Sequence, residues 1–431
     1  MPILYLVSLG CSKNQVDSEA MLGQLLPRGF RLCAQPEEAD ILIVNTCGFI
    51  EAAREESLSV VRELSQNKHK GQKLIVCGCL THVADDRMRS SILGVDQWLS
   101  IRDEQNIFEI LTAWFDSDST AAPLPRIRIS PPHYAYMRVA DGCDHRCSFC
   151  AIPGIRGQYV SRPVDSILDE TVRLAEEGVV ELNIIAQDTS GYGKDLFPQK
   201  TLSELLRRIC RIDGIQWIRL QYLYPATLTD ELLAVMAAEE KICSYIDLPL
   251  QHISNPILRH MKRPGEKSTR RLLETIRRYL PDCALRTAMI TGYPLETETA
   301  FRELYDFIAE EYFDHLGVFE YSHEAGTAAF ELTDCIPVEE KRRRRDELMR
   351  LQQGISLRKN LKQVGETVLV LIDQTAGKKA VGRRRADAPE VDDSVHVRNA
   401  GSLPPGSIVP VRITRAEPYD LYGTVETGLF E

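Results

Sequence analysis

Three cysteines stand close together near the middle of the chain, at positions Cys143, Cys147 and Cys150. The spacing C-x3-C-x2-C lets three thiolates reach three corners of a cubane iron–sulfur cluster. Complete ligation of such a cluster by protein normally takes four cysteines, and no fourth lies nearby in the sequence. One iron is therefore left with an open position, so the loop is predicted to bind a cluster that can take a further ligand.

S-adenosylmethionine suits that open iron, because its amino and carboxylate groups can chelate a metal. A reduced cluster could pass one electron to the sulfonium and release a 5′-deoxyadenosyl radical, while the protein holds the cofactor and excludes water. The alternatives are a zinc site or a redox dithiol. Zinc sites usually pair two short cysteine motifs, and the second is missing here. His145, inside the loop, is interpreted as a hydrogen-bonding residue.

Three further cysteines, Cys11, Cys47 and Cys79, each follow an apolar run of the N-terminal region. The carboxyl ends of parallel strands share one edge of a sheet, so these side chains are expected to converge there. Three converging cysteines again imply a cluster with one open iron. The alternative is that they are small buried residues, and Cys77 competes with Cys79 for the third place. The remaining cysteines are interpreted as structural: Cys33, Cys210, Cys243, Cys283 and Cys335.

The elements that must position these residues alternate between strand and helix patterns, which predicts an α/β protein. The first 115 residues suggest strands at Ile3–Leu9, Ile41–Val44 and Leu74–Val76, with helices between them, hence an open and mostly parallel sheet. From Tyr134 onward, six βα units predict a partial or complete TIM-like barrel with its site at the carboxyl ends of the strands.

Composition changes divide the chain into predicted domains. Residues 1–116 form the sheet domain, and 117–132 form a linker rich in Asp, Ser, Thr, Ala and Pro. Residues 133–364 form the barrel with a long charged helix at its end. Residues 365–431 contain short strands separated by Gly and Pro, which predicts a small closed antiparallel β-barrel.

Composition also restricts the classes of function. No apolar run approaches the roughly 20 residues of a membrane helix, and the N-terminus lacks a signal-peptide pattern, so a cytoplasmic protein without a membrane partner is expected. Twelve cysteines in that compartment point to metal or redox chemistry rather than to disulfides. The net charge of −10 argues against DNA and favours a basic or neutral partner.

Four stretches of the sequence resemble the radical methylthiotransferase family, and the resemblance covers essentially the whole chain. The stretches are Ser8-Leu9-Gly10-Cys11-Ser12-Lys13-Asn14, Asn45-Thr46-Cys47-Gly48-Phe49-Ile50, Gly78-Cys79-Leu80 and Asp141-Gly142-Cys143-Asp144-His145-Arg146-Cys147-Ser148-Phe149-Cys150. The resemblance implies an N-terminal methylthiotransferase domain, a radical S-adenosylmethionine barrel and a C-terminal TRAM domain. It implies two 4Fe–4S clusters, S-adenosylmethionine and a one-electron reductant.

Within the family, the chain is similar to the branch that converts an aspartate of ribosomal protein S12 to β-methylthio-aspartate. The stretches that favour this branch are Gly10–Asn14, Asp144-His145 and Asp387–Asp392. One departure is Leu295, which stands where the family has Gly, and it is expected to disturb a turn near the cofactor. The alternatives are a tRNA methylthiotransferase and a non-catalytic iron–sulfur or RNA-binding protein.

The chemistry accounts for two clusters. The target C–H is not acidic enough for a side-chain base, so a radical must abstract the hydrogen, and a sulfur on the open iron of the second cluster can trap the carbon radical. A second S-adenosylmethionine supplies the methyl group. In the tail, Asp387, Glu390 and Asp392 are hypothesised to face Lys and Arg side chains of a basic target.

The candidate contacts of the cofactor lie at predicted strand ends or beside a ligand. They are Phe149, Gln187, Asp188 and Gly292. Phe149 could stack on adenine or pack in the core, and Gln251-His252 is assigned an outer role. No acid–base catalytic residue is assigned.

Overall fold

The computed structural model describes residues 1–115, 121–196, 201–401 and 403–426. Contacts divide the chain into two compact units. The first comprises Met1–Ser130, Asp141–His145 and Cys150–Tyr159, and the second comprises Pro131–Ala140, Arg146–Phe149 and Val160–Glu431. Within the described ranges, every helix is too short or too polar to cross a membrane.

The first unit is built on a five-stranded parallel sheet with strand order β2-β1-β3-β4-β5. Its strands are β1 (Ile3–Ser8), β2 (Arg31–Leu32), β3 (Ile41–Thr46), β4 (Lys73–Gly78) and β5 (Gln97–Trp98). Its helices are α1 (Ser12–Leu25), α2 (Glu51–Asn67), α3 (Leu80–Val83), α4 (Asp86–Ser91) and α5 (Ile107–Thr112). The predicted parallel sheet is confirmed, and the two-residue edge strands β2 and β5 are too short to show a sequence pattern.

The sheet is covered on both faces, which explains the continuous apolar runs of its central strands. All six residues of β3 are buried. Successive residues pack into opposite cores: Ile41 and Ile43 lie in one cluster, and Leu42 and Val44 lie in the other. The same alternation along β4 decides which core each of its side chains enters, and Cys77 lies in the cluster of Ile41 and Ile43.

The predicted linker is partly anchored to the first unit. Arg126 forms an ion pair with Glu19 at 3.0 Å, and both side chains are 2% exposed. The backbone N–H of Ile127 donates to the carbonyl of Glu19 at 2.9 Å, and that of Leu124 donates to the carbonyl of Gly23 at 3.0 Å. Residues 121–130 therefore pack along α1, whereas residues 116–120 lie outside the described residues.

The second unit contains six parallel strands in the order β6-β9-β10 and β11-β12-β13, with an isolated parallel bridge from Ile218 to Ile242. The strands from the start of this region are β6 (Tyr134–Arg138), β7 (Ala140–Asp141), β8 (Val160–Ser161), β9 (Glu181–Ile185), β10 (Trp217–Leu220), β11 (Tyr245–Asp247), β12 (Ala284–Thr291) and β13 (His315–Glu320). Short strands β7 and β8 pair separately, and no ladder joins β6 to β13 in the described ranges, so the barrel is partial.

Helices alternate with these strands as the periodicity predicted. They are α6 (Ile152–Arg156, assigned to the first unit), α7 (Val164–Glu176), α8 (Leu202–Ile209), α9 (Asp230–Ala238), α10 (Asn255–Met261), α11 (Glu266–Tyr279), α12 (Glu298–Ala309) and α13 (Val338–Leu361). Thr201, Thr229 and Thr297 cap α8, α9 and α12 by accepting a backbone N–H of the first turn. The long charged helix predicted at 338–363 corresponds to α13.

The C-terminal region forms a closed five-stranded barrel in the order β14-β15-β16-β18-β17. Its strands are β14 (Thr367–Ala376), β15 (Lys379–Arg384), β16 (Ser394–Arg398), β17 (Ile408–Ala416) and β18 (Asp420–Val425). The expected closed barrel is confirmed, with one difference. The β16–β18 ladder is parallel, while the other ladders are antiparallel.

The small barrel joins the parallel strands of the second unit at their amino ends. Arg383 of β15 donates to Glu181 of β9 at 2.8 Å, and Arg219 of β10 donates to the same carboxylate at 3.0 Å. Glu181 is buried, and the two guanidinium groups hold its pKa below the usual range against the opposing effect of burial. The carboxyl ends of the strands are thereby left as the end available for a site.

In the acidic stretch between β15 and β16, Asp387 and Asp392 face inward, so the hypothesis that these two meet a basic target is wrong. Glu390 is exposed, and for it the hypothesis stays a prediction. Asp387 is 0% exposed and pairs with Arg384 at 2.7 Å. Glu390 accepts a hydrogen bond from the Tyr134 hydroxyl at 2.8 Å. Asp392, with a fully buried carboxylate, pairs with Arg286 at 2.6 Å. Tyr134 and Arg286 are distant in sequence from the acids that they contact, whereas Arg384 lies three residues before Asp387.

Candidate metal centre

The three cysteines of the first unit converge beyond the carboxyl ends of β1, β3 and β4. The Asn14 side-chain oxygen lies 3.5 Å from the sulfur of Cys79 and 4.0 Å from that of Cys11. Gly10 has a positive φ of 94°, and a Cβ built on it would lie 3.3 Å from the sulfur of Cys47. Gly10 and Asn14 thus lie among the three thiols, as the sheet-edge argument predicted. We name Cys11, Cys47 and Cys79 the strand-end triad.

Asn14 ties together two of the strand ends that carry these cysteines. Its side-chain amide donates to the carbonyl of Leu9 at 3.0 Å and to that of Thr46 at 2.9 Å. Leu9 follows β1, and Thr46 ends β3. This function was not predicted from the sequence, although Asn14 closes the motif Gly10–Asn14 and lies one helical turn after Cys11.

Arg156 of α6 extends the same arrangement and was also missed. Its guanidinium donates to the Asn14 oxygen at 2.8 Å and to the Cys79 sulfur at 3.4 Å. It pairs with Asp17 at 2.7 Å and with Asp141 at 3.4 Å. The side chain is 2% exposed. The only signal in the sequence is its place a few residues after the last cysteine of the central loop.

Burial controls the ionisation of these thiols. It raises the pKa of Cys79 to about 12, an effect that Arg156 opposes and that the neighbouring Cys11 and Cys47 reinforce. Burial also raises the pKa of Cys47. Sulfur binds metal as the thiolate. A buried thiol is hard to ionise without a partner, and a bound metal cation would stabilise its charged form. The donor set therefore fits a metal centre.

Cys77 does not belong to the strand-end triad. It is 0% exposed within the core below the sheet, and its sulfur lies 3.5 Å from the carbonyl oxygen of Val44. The alternation along β4 directs it into that core, while Cys79 lies past the strand.

Of the cysteines interpreted as structural, Cys210, Cys243 and Cys283 are buried and Cys33 is partly buried. Cys335 is exposed, which contradicts a packing role.

The first part of the central loop is held by the segment that follows it. We name Cys143, Cys147 and Cys150 the loop triad. The backbone N–H of Cys143 donates to the carbonyl of Gly157 at 3.1 Å. The carboxylate of Asp144 accepts the backbone N–H of Tyr159 at 2.9 Å. These bonds are local in sequence.

The second part of the loop is held by residues of the partial barrel. The Ser148 hydroxyl hydrogen-bonds with the Tyr293 hydroxyl at 2.9 Å, and the Ser148 carbonyl accepts the backbone N–H of Ala329 at 2.7 Å. Ser148 also donates its backbone N–H to the carbonyl of Met261 at 3.3 Å. The backbone between Cys147 and Cys150 is thereby held at both its N–H and carbonyl groups.

An arginine also lies beside one cysteine of the loop triad. Arg263 donates toward the Cys147 sulfur at 3.8 Å, and its guanidinium lies 4.3 Å from the centre of the Tyr224 ring. The Tyr224 side chain hydrogen-bonds with Cys147, and burial raises the pKa of the Tyr224 hydroxyl. Each triad therefore has one sulfur in contact with a guanidinium.

The arrangement of the strand-end triad disfavours a single metal ion. In tetrahedral zinc sites a Zn–S distance of about 2.3 Å places sulfurs about 3.8 Å apart. In the described part of the chain, the sole set of three potential ligand atoms within 4.8 Å of one another is His315, Asp387 and Asp393. The acids of that set are already engaged by Arg384 and Asn360. The strand-end triad is not such a set, so its three sulfurs do not meet around one ion of this size.

Two of the predicted cofactor contacts have other partners. Phe149 packs with the apolar cluster that contains Tyr293 and Met261. Asp188 is buried, and its carboxylate accepts the backbone N–H of Gly191 at 3.0 Å and the Ser190 hydroxyl at 2.8 Å. Asp188 thus shapes the turn after β9.

The other two predicted contacts lie at strand ends. Gln187 follows β9 and is half-buried. Gly292 follows β12 with a positive φ of 75°, and a Cβ there would overlap the Lys341 side chain at 2.2 Å, so Gly is required. Its backbone N–H donates to Glu296. Leu295 is not among the described residues with positive φ, so its backbone avoids the left-handed region. Its effect on the turn near the cofactor stays a prediction.

His252 belongs to a buried network next to Gly292. Its Nε2 lies 3.1 Å from Glu296, and its Nδ1 accepts the backbone N–H of Ser254 at 3.0 Å. Glu296 also pairs with Arg344 at 2.8 Å. The network fixes the carboxylate that receives the Gly292 N–H, which is consistent with the outer role expected for His252.

Comparison with protein families divides the chain into three regions. Residues 4–100 match Uncharacterized protein family UPF0004, residues 137–308 match the Radical SAM superfamily, and residues 364–425 match the TRAM domain. The radical SAM match implies a [4Fe–4S] cluster and S-adenosylmethionine. The expected fold class is confirmed by these matches together with the observed sheets.

Among solved structures, the chain is similar to the radical S-adenosylmethionine methyltransferase TsrM from Kitasatospora setae, bound to tryptophan and a SAM analogue. The TM-score is 0.56 at 14% identity, covering 74% of this chain and 73% of that one. A second TsrM structure, with cobalamin and a [4Fe–4S] cluster bound, has a TM-score of 0.54 and covers 74% of each chain at 14% identity. At this identity the likeness shows the fold alone.

Curated relatives match over nearly the full length. A protein of Desulfitobacterium hafniense (strain Y51) named ribosomal protein uS12 methylthiotransferase RimO is 43% identical, covering 97% of each chain. A protein of the same name from Synechococcus sp. (strain JA-3-3Ab) is 44% identical, covering 98% of this chain and 94% of its own. This similarity extends through the sheet domain, the partial barrel and the closed barrel alike, and the chain therefore belongs to the RimO family of radical SAM methylthiotransferases.

Proposed function

We propose that this protein inserts a methylthio group at the β-carbon of an aspartate of ribosomal protein uS12. The observation that carries the proposal is the convergence of Cys11, Cys47 and Cys79 around Asn14, in addition to the loop triad that radical cleavage of S-adenosylmethionine requires. The curated relatives carry the name of this activity.

Two 4Fe–4S clusters are part of this proposal, one held by each cysteine triad. When bound, they supply the electron that cleaves S-adenosylmethionine and an iron that can carry sulfur. The protein contributes six thiolates and leaves one iron of each cluster without a protein ligand. A one-electron reductant, whose identity the sequence does not specify, completes the requirements.

The residues around the loop triad hold and orient the cofactor. Gly292 keeps the carboxyl end of β12 free of a side chain, and Glu296 holds its backbone N–H. We propose that Gly292, Gln187 and the backbone beside Phe149 contact S-adenosylmethionine, with Asp188 shaping the turn that presents Gln187. Tyr293 and Ala329 hold the cysteine loop against these groups.

A basic ribosomal protein suits the charge of this chain. The net charge is −10, and the C-terminal region from Glu366 has 8 basic and 10 acidic residues, so a polyanionic RNA finds little general attraction. A ribosomal target also places the activity in the cytoplasm. Asp387 and Asp392 are engaged internally, so they do not form the surface that receives uS12.

The test is an anaerobic reaction of reconstituted protein with a peptide of the uS12 target loop and, separately, with bulk tRNA. Mass spectrometry should show one methylthio group on the aspartate of the peptide and no change in tRNA nucleosides. Cys47→Ala protein is the matched control and should leave the peptide unmodified. A methylthio group in tRNA with an unmodified peptide would assign the activity to the tRNA-modifying relatives instead.

A further inference from the structure

Arg156 contacts the strand-end triad through a side chain that is almost completely buried. One terminal nitrogen, Nη2, donates to the Cys79 sulfur at 3.4 Å and to the Asn14 oxygen at 2.8 Å. The other, Nη1, pairs with Asp17 at 2.7 Å and with Asp141 at 3.4 Å. The guanidinium is 2% exposed, so solvent screens these interactions little.

The sequence explains how one side chain makes several of these contacts. Asn14 and Asp17 lie three residues apart on α1 and therefore share one face of the helix. The planar guanidinium presents its donors in a fixed fork, which matches an amide oxygen and a carboxylate side by side. The ion pair with Asp17 aims the remaining donor at Cys79.

A hydrogen bond to a ligand sulfur changes the properties of an iron–sulfur cluster. The donor withdraws electron density from the sulfur, and a nearby positive charge favours the state of the cluster that carries one more electron. Both effects raise the reduction potential. Without the guanidinium, the negative charges of Asp17 and Asp141 would be uncompensated and would lower the reduction potential.

We propose that Arg156 is a positioning residue that sets the reduction potential of the cluster at Cys11, Cys47 and Cys79. It holds Cys79 beside Asn14 and makes the cluster easier to reduce than a neutral residue at position 156 would. The inference rests on the proposed second cluster. The loop triad has its own guanidinium, Arg263, at the longer distance of 3.8 Å from Cys147, which provides a control position.

The experiment measures the potential of the strand-end cluster alone. In full-length protein carrying Cys143→Ala, Cys147→Ala and Cys150→Ala, the remaining cluster is reconstituted and titrated potentiometrically under EPR detection. Arg156→Gln is expected to lower the midpoint potential. At a fixed potential the ratio of reduced to oxidised cluster should fall at least tenfold, which corresponds to a shift of about 59 mV for one electron. Arg263→Gln in the same background should leave it unchanged.

Two further variants keep the test decisive if Arg156→Gln fails to fold. Arg156→Lys retains the charge but loses the fork, and a smaller negative shift is expected. Asp17→Asn removes one carboxylate while retaining Arg156, so its midpoint should move to a more positive value. Iron analysis and circular dichroism accompany each titration.

The outcomes separate this inference from the proposed function. A folded triple-cysteine variant that binds no iron would overturn the second cluster itself. A cluster that binds at full iron content and has the same midpoint with Arg, Lys or Gln at position 156 would overturn the role of Arg156 alone. A positive shift in Arg156→Gln would likewise contradict it.

Discussion

The two cysteine triads are organised in opposite ways. The loop triad occupies eight consecutive residues, so the chain itself brings Cys143, Cys147 and Cys150 together. The strand-end triad comes from three separate strand–helix connections, and Asn14 and Arg156 hold its members. The strand-end triad needs the whole sheet to bring its members together, whereas the loop triad needs the rest of the fold only to hold a loop that is already local in sequence.

The largest expected effect is the loss of radical formation when the loop triad is removed. Protein with Ala at Cys143, Cys147 and Cys150 should release no 5′-deoxyadenosine from S-adenosylmethionine after reduction by dithionite. Its iron content should fall from about 8 to about 4 per chain, because one cluster remains. Chromatography and iron analysis are the measurements, and full iron content in this variant would mean that the loop binds no cluster.

Removing one member of the strand-end triad should separate the two chemical steps. Folded Cys47→Ala protein is expected to release 5′-deoxyadenosine while leaving the peptide substrate without a methylthio group. The reason is that, under the proposed function, the loop triad generates the radical and the cluster at the strand-end triad delivers the sulfur. If 5′-deoxyadenosine formation is lost as well, the division of work between the triads is wrong.

Cys77 in β4 and Cys79 just after it provide a matched pair of variants. Cys79→Ser should lower the iron content toward that of one cluster. Cys77→Ser should retain both clusters and instead destabilise the protein by about 1–3 kcal/mol, because a hydroxyl replaces a fully buried thiol. Iron analysis and urea denaturation distinguish them, and loss of iron in Cys77→Ser would show that the third ligand is misassigned.

The smallest effects should come from the residues that hold the two sites in the absence of iron. Asn14→Ala removes the donor to the carbonyls of Leu9 and Thr46 and should cost about 1–3 kcal/mol of unfolding free energy. Ser148→Ala removes one hydrogen bond, to Tyr293, and should cost about 0.5–1.5 kcal/mol. Denaturant titration of the apoproteins gives both unfolding free energies. If the two substitutions destabilise the protein equally, the strand-end triad is not more dependent on its supporting residues than the loop triad.

Local patterns in the sequence were enough for much of the fold. Continuous apolar runs predicted β1, β3 and β4 within a few residues, because buried parallel strands show that character. The spacing of Cys143, Cys147 and Cys150 predicted the loop, since ligand spacing within eight residues is a property of the chain alone. The motifs also placed the chain in its family, with which the curated relatives agree.

Long-range contacts decided what the sequence left open. Arg156 and Asn14 gained their roles only when the sheet brought α1, Cys79 and α6 together, and no spacing rule links residues 142 positions apart. Asp387 and Asp392 look like part of a solvated acidic surface in the sequence, but Arg384 and Arg286 pair with them inside the second unit. The choice between Cys77 and Cys79 was likewise tertiary, because it depends on which side of the strand end meets the core. The sequence thus determined the reactive groups and the local elements that carry them. Packing determined which charged groups surround them, because the cost of burying a charge depends on partners that only the folded chain supplies.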